Sequence, residues 1–172
     1  LSPVTKALGI NELEPEISQS FSLGLVYTNN AGLAVTLDTY QIEIDDRIIL
    51  SGALRPADSP AVATALAGTN ADSARFFVNA VDSRTRGVDL VVSQDFDIGT
   101  WGDLRANLAY AYNKTEIQDI NLPSILGGLE KKLFDGIERT RMTSATPHNT
   151  GSIGLTHELG DFKTNVRFNY FG

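Results

Sequence analysis

The chain reads as all-β: an antiparallel up-and-down transmembrane β-barrel segment of about six strands, with short periplasmic turns and long extracellular loops. Three observations predict it. Apolar and polar side chains alternate over long runs, so each strand has one greasy and one wet face. Those runs match or exceed the roughly 9 to 11 residues that a tilted strand needs to cross the hydrocarbon, whereas globular strands are commonest near 5 to 6. The connections run short, long, short, long, short. In a meander, alternate connections share one end of the sheet, an asymmetry that outer-membrane barrels have and that a sandwich has no physical reason to adopt.

Taken in order, residues 1–17 form a polar lead-in, where Pro3 and Pro15 disfavour regular hydrogen-bonded structure. A first strand over residues 20–27 sets Phe21, Leu23, Leu25 and Tyr27 against Ser20, Ser22 and Gly24, and the Asn and Gly of residues 28–32 permit a tight reversal. The second strand, residues 33–49, begins with Leu33, Val35 and Leu37 on one parity and continues with Tyr40, Ile42 and Ile44 on the other. One extra residue near 38–41, a β-bulge, would produce that switch, and two readings of the outward face of its second half stay open.

Residues 50–75 make a long connection that marks a functional or mobile loop, with one short helical turn over 61–66. The central strand spans residues 76–96, where Val88, Leu90, Val92 and Phe96 oppose Gly87, Asp89, Ser93 and Asp95. After a turn at 98–102, the fourth strand, residues 103–117, sets Leu104, Ala106, Leu108, Tyr110 and Tyr112 against Arg105, Asn107, Ala109, Ala111 and Asn113. In the second long connection, residues 118–148, a short helix is expected over 123–134, stopped by Gly136. The fifth strand covers residues 149–158. The sixth sets Phe162, Thr164, Val166, Phe168 and Tyr170 against Lys163, Asn165, Arg167 and Asn169.

Aromatic placement agrees with two interfacial girdles: Tyr27, Phe96, Trp101 and Phe162 near the short turns, and Tyr110, Tyr112, Phe168, Tyr170 and Phe171 toward the long loops. Composition excludes several other classes. No run approaches the roughly 18 apolar residues of a spanning helix, and the 172 residues are 42% hydrophobic with a net charge of -7. That charge, with no basic stripe, argues against nucleic acid. Without Cys there is neither a disulfide framework nor thiolate metal chemistry. His148 and His157 are too isolated to form a metal site. No carboxylate pair, nucleophile elbow or phosphate loop supports catalysis, so neither an enzyme nor a cofactor is expected. Opening on Leu1-Ser2-Pro3, the chain is expected to be a piece of a longer or processed protein.

Several stretches together carry a resemblance. Leu13-Glu14-Pro15-Glu16 with Ser18 and Phe21-Ser22-Leu23-Gly24, then Asp45-Asp46-Arg47-Ile48, then the run from Phe76 through Asn79, Asp82, Arg84 and Arg86 to Gly87-Val88-Asp89, Thr146-Pro147-His148-Asn149, and Arg167-Phe168-Asn169-Tyr170-Phe171-Gly172 occur in the order seen in TonB-dependent outer-membrane receptors. The chain resembles the later part of that barrel, as a partial domain over residues 1–172 with plug and closing strands outside it. The resemblance implies receptor-mediated uptake of a scarce nutrient of the ferric-siderophore, cobalamin or oligosaccharide class across the outer membrane of a Gram-negative bacterium. It implies as partners the outer-membrane lipid and lipopolysaccharide, the plug and remaining strands, and TonB of the inner-membrane energy-coupling complex.

Within that frame Asp89, Arg105, Asn107, Lys163, Asn165 and Arg167 are expected to face the lumen, against plug side chains and water. Loop contacts to the nutrient are expected from Arg55, Asp58, Arg75 and Phe76 in one long connection and Lys131, Lys132, Arg139 and Arg141 in the other. The basic set suits an anionic ligand, though a solvated loop helix explains it as simply. Arg84 and Arg86 share parity with Val88 and are expected to meet lipopolysaccharide phosphates, unless nearby acids pair with them or a bulge at Gly87 turns them inward. The alternatives in function are a passive porin-like barrel and a soluble β-sandwich binding module.

Overall fold

The alternating runs become six strands. The computed structural model describes residues 2–172. Its strands are β1 (Ile17–Thr28), β2 (Leu33–Leu50), β3 (Phe77–Asp97), β4 (Asp103–Ile120), β5 (Asn149–Leu159) and β6 (Phe162–Phe171). They form one antiparallel, up-and-down sheet in chain order. At 18, 21 and 18 residues, β2, β3 and β4 are longer than any membrane crossing requires.

The chain divides into two compact units. A sheet unit comprises Ser20–Ile42, Thr85–Lys114 and Thr146–Gly172; a loop unit comprises the residues up to Gln19, Glu43–Arg84 and Thr115–Ala145.

In the sheet unit the strand register sorts side chains by face, because directly opposed residues project to the same side. Leu108 pairs with Ile153 and Ile153 with Phe168; Ala106 pairs with Leu155 and Leu155 with Val166. These rows make a continuous apolar face. On the other side Arg105 aligns with Thr156 and Asn165, Asn107 with Gly154 and Arg167, and Ala109 with Ser152 and Asn169. Phe171 pairs with Thr150 and Thr150 with Ala111, so Phe171 belongs to the polar face. That corrects its expected place in the girdle: its parity is that of Asn169, not of Tyr170.

The expected bulge in β2 is not needed. Asp38 stands over Gly24 and Tyr40 over Gly87, both on the polar side, while Gln41 bonds Arg86 on the side of Val88. Through Glu43 parity is kept, and what changes is chemistry. Leu33, Val35 and Leu37 face the apolar side early in the strand, and Thr39, Gln41 and Glu43 occupy the same parity later. Gly87 lets the Tyr40 ring lie close over the strand, since a Cβ there would lie 2.2 Å from the ring and would have to displace it.

Among the described residues the buried apolar core lies in the loop unit: Leu8, Ile10, Ile49, Leu54, Val62, Leu66, Phe76, Val78, Ala80, Val81, Leu126, Leu133 and Phe134. Both long connections feed it, so residues 50–75 are a packed segment. Ser59 caps α2 (Pro60–Leu66) by accepting from Val62 N–H, and this helix buries Val62 and Leu66.

Two further expectations are corrected. Pro3 opens α1 (Pro3–Ala7) at the position where proline's missing N–H costs nothing, and α1 packs against α2. Gly136 starts a helix instead of stopping one. After the short α3 (Glu130–Leu133), Asp135 accepts from Ile137 and Glu138 N–H and launches α4 (Gly136–Ser144).

The two long connections meet at Gly52, whose N–H donates to the Leu133 carbonyl at 3.0 Å. A Cβ on Gly52 would sit 1.9 Å from the Lys132 carbonyl oxygen, which is backbone and cannot swing aside. Gly52→Ala is therefore expected to force the connections apart at a cost of about 1–3 kcal/mol. Hydrogen exchange at the Gly52 and Leu54 amides checks this, and unchanged protection would refute it.

Candidate functional site

The polar face of the sheet unit is a lattice of charge pairs. Arg105 donates to both oxygens of Asp95, at 2.5 and 3.0 Å, the fork geometry that suits guanidinium and carboxylate. Lys163 pairs with Glu158 at 2.5 Å, and Asn165 donates to the Thr156 hydroxyl at 2.7 Å. Asp95, Arg105, Glu158, Lys163 and Thr156, with Asn107 and Arg167, line a concave recess of about 840 Å³. Asp89 lines a second recess on that face with Ser152 and Asn169. The structure thus brings the six expected lumen residues onto one surface, because a period of two with matched register leaves no other choice.

The eight expected loop contacts are not equivalent. Phe76 is 5% exposed and belongs to the core, so it is withdrawn as a surface contact; its side chain is one of the groups that hold the unit together. Asp58 accepts from the Arg55 N–H and is paired with Lys132, linking the two long connections. Arg139 lies over the Phe134 ring, 5.2 Å from its centre, and Arg141 pairs with Glu138 at 2.5 Å. Arg55, Arg75 and Lys131 are exposed.

A cleft of about 550 Å³ in the loop unit escaped the sequence reading. Lys6, Glu12, Glu14, Asn79 and Asn121 are among its lining residues. Asn79 shapes it: its Nδ2 donates to the carbonyls of Glu14 and Asp46, at 2.8 and 2.7 Å, and its Oδ1 accepts from Glu14 N–H at 2.9 Å. The lead-in is thereby pinned to the edge of the cleft. The signal was an amide inside the apolar run Phe77-Val78-Asn79-Ala80-Val81, a residue that needs fixed partners where its neighbours are buried.

Arg84 and Arg86 have different partners. Arg84 Nε lies 2.6 Å from a Glu43 carboxylate oxygen, whereas Arg86 Nε donates to the neutral Gln41 amide oxygen at 2.8 Å. Both histidines donate to backbone carbonyls, His148 through Nδ1 to Asn113 and His157 through Nε2 to Trp101. Among the described residues no three His, Cys, Asp or Glu side chains converge as metal ligands would. No helix among them is long and apolar enough to cross a membrane.

Residues 2–172 match the family model described as TonB dependent receptor-like, beta-barrel. The chain belongs to that family. Two solved structures share the fold of this TonB-dependent receptor chain. The FrpB iron transporter from Neisseria meningitidis (F3-3 variant) superposes with a TM-score of 0.61 at 16% identity, over 94% of this chain and 20% of that one. The copper transporter OprC gives 0.57 at 20% identity, over 94% and 19%. The chain thus spans about a fifth of the length of these structures. Comparison with curated proteins finds no match.

The Asp58–Lys132 pair yields a pH prediction. The hydrogen bond from Lys132 holds the Asp58 carboxyl below its ordinary range, with further help from the Arg55 N–H. A carboxyl depressed on folding contributes stability that is fully present above its unfolded value, about 3.9, and lost as pH falls through the folded value. The tie between the connections should hold at neutral pH and release only in acid below about pH 4. Amide exchange at Arg55 against pH should show that release, and Asp58→Asn should abolish the dependence.

Proposed function

We propose that this receptor chain forms part of the wall and outer mouth of an outer-membrane importer that takes up a scarce, bulky nutrient with energy relayed by TonB. The observation that carries the reading is the uncovered apolar face: Leu108 is 39% exposed, Val166 47% and Phe168 71%, in rows locked by strand register. Fully burying one such side chain is worth about 1.5–3 kcal/mol, so a sheet that leaves whole rows open is made for lipid. The opposite face, with its charge pairs, suits a hydrated lumen and a plug. Asp89, Arg105, Asn107, Lys163, Asn165 and Arg167 are its proposed contacts with that plug.

In the mouth, Arg55, Arg75 and Lys131 are proposed to meet the nutrient, in keeping with an anionic cargo such as a ferric siderophore; cobalamin and oligosaccharides remain within the class. Arg139, Arg141, Lys132 and Asp58 are proposed to hold the surrounding surface through the contacts described.

Two measurements test this. Val166→Arg on the apolar face should cost about 2–4 kcal/mol of folding stability in bilayers, while Asn165→Arg on the other face should cost little. Equal costs would overturn the lipid reading. Uptake by cells carrying the full-length protein should cease when TonB is deleted; uptake that continues would mark a passive pore.

A further inference from the structure

Residues 11–16, the end of the lead-in before β1, form a strap that two side chains hold to the loop unit. All of them are exposed, and none belongs to a helix or strand. Among the described residues no bond between backbone groups ties them to the unit. The amide of Asn79 takes the N–H and the carbonyl of Glu14, at 2.9 and 2.8 Å, and a Glu16 carboxylate oxygen accepts from Ile48 N–H at 2.7 Å. Each end of the strap is fixed independently: Leu8 and Ile10 are buried in the core, and Ile17 enters β1.

The strap also borders the cleft of about 550 Å³. Asn11, Glu12 and Glu14 line it from the strap, and Asn121, Ser124 and Ile125 line it from the second long connection. Among the described residues no hydrogen bond or ion pair joins those two borders, so parting them breaks no polar contact across the cleft. Pro15 fixes its own φ and keeps Glu14 extended, which makes the strap swing as one piece. Asn79 is built to outlast such a movement. Its Nδ2 also donates to the Asp46 carbonyl at 2.7 Å, a bond that stays when Glu14 leaves and keeps the amide aimed at the place the strap returns to.

We propose that residues 11–16 are a strap gating the cleft, latched shut by the Asn79 amide and opened by release of the Glu14 backbone while the core beneath stays folded. A hydrogen bond of this kind shifts an equilibrium by about twofold to twelvefold. Three of them hold a closed state that can be left without unfolding the unit, in the way that locally held segments open below the global limit. The latch stands on the loop unit alone. Its use in uptake rests on the importer reading above.

The experiment uses the full-length receptor in a non-ionic detergent, with Glu12→Cys and Ser124→Cys carrying spin labels, no other cysteine, and the distance between the labels as the readout. With no further change, one short distance should dominate. Asn79→Ala should add a longer one and raise the open-to-closed ratio about tenfold to thirtyfold for the two bonds lost to Glu14. Glu16→Ala should raise it about threefold to tenfold, and Glu16→Gln, which keeps an acceptor, should not. Glu14→Gln should leave the short distance in place, because the latch grips backbone. Hydrogen exchange at the Leu54 amide, which donates to Ala74, should stay slow throughout. Joining the two cysteines with a reducible linker should stop uptake by cells, and cutting the linker should restore it.

An unchanged distance in both Asn79→Ala and Glu16→Ala would overturn the latch. So would opening by Glu14→Gln equal to that by Asn79→Ala, which would put the hold in the Glu14 charge. Fast exchange at Leu54 in Asn79→Ala would make Asn79 a support of the core and also overturn it. Full uptake by the linked receptor would overturn the gate. Uptake that continues without TonB would instead sink the importer reading and leave the distances standing.

Discussion

An apolar surface that none of the described residues covers governs this structure. Rows such as Leu108, Ile153 and Phe168 run across β4, β5 and β6, and the next residue on each strand points the other way into charge. Neither face can be exchanged for the other, because slipping β4 or β6 by one residue would put Arg105 or Arg167 among the aliphatics. The strand pairing is therefore held by both faces at once, one apolar and one charged.

The loop unit obeys the opposite rule. Its strands and connections close over Leu54, Val62, Leu133 and Phe134 in a dry core of the kind found in water-soluble domains, and its polar groups are tied down individually by Asn79, Asp82 and Ser59. A structure of this sort can present a preformed surface, because the cost of ordering its segments is met by the core. That is a different device from a flexible loop that orders only on contact. It also explains why Asp58 and Phe76, which look available as surface contacts in the sequence, are occupied in holding the unit together.

Family membership and local chemistry answer different questions here. The match over residues 2–172 assigns the wall to a receptor barrel, and the solved structures share its fold at 16% and 20% identity. What this chain adds is in particular side chains. They are the forked Arg105–Asp95 pair, the Asn79 clamp and the unequal partners of Arg84 and Arg86.

The six strands, their short turns and the face of each lumen candidate were legible because a period of two is a local property, readable wherever polar and apolar residues alternate. The same reasoning misjudged Phe171, whose chemistry and parity disagree, and read a bulge into β2, where the face stays and the environment changes. The helix starts at Pro3 and Gly136 went unread because each depends on a capping neighbour, Ser2 or Asp135, and on partners far away in sequence. The core of the long connections was beyond local reading altogether: Leu8, Leu54 and Leu133 meet only after strands of up to 21 residues have set the distances between them. Alternation by itself determined the sheet unit of this protein. Only tertiary contact, which joins residues that no local period relates, decided the loop unit.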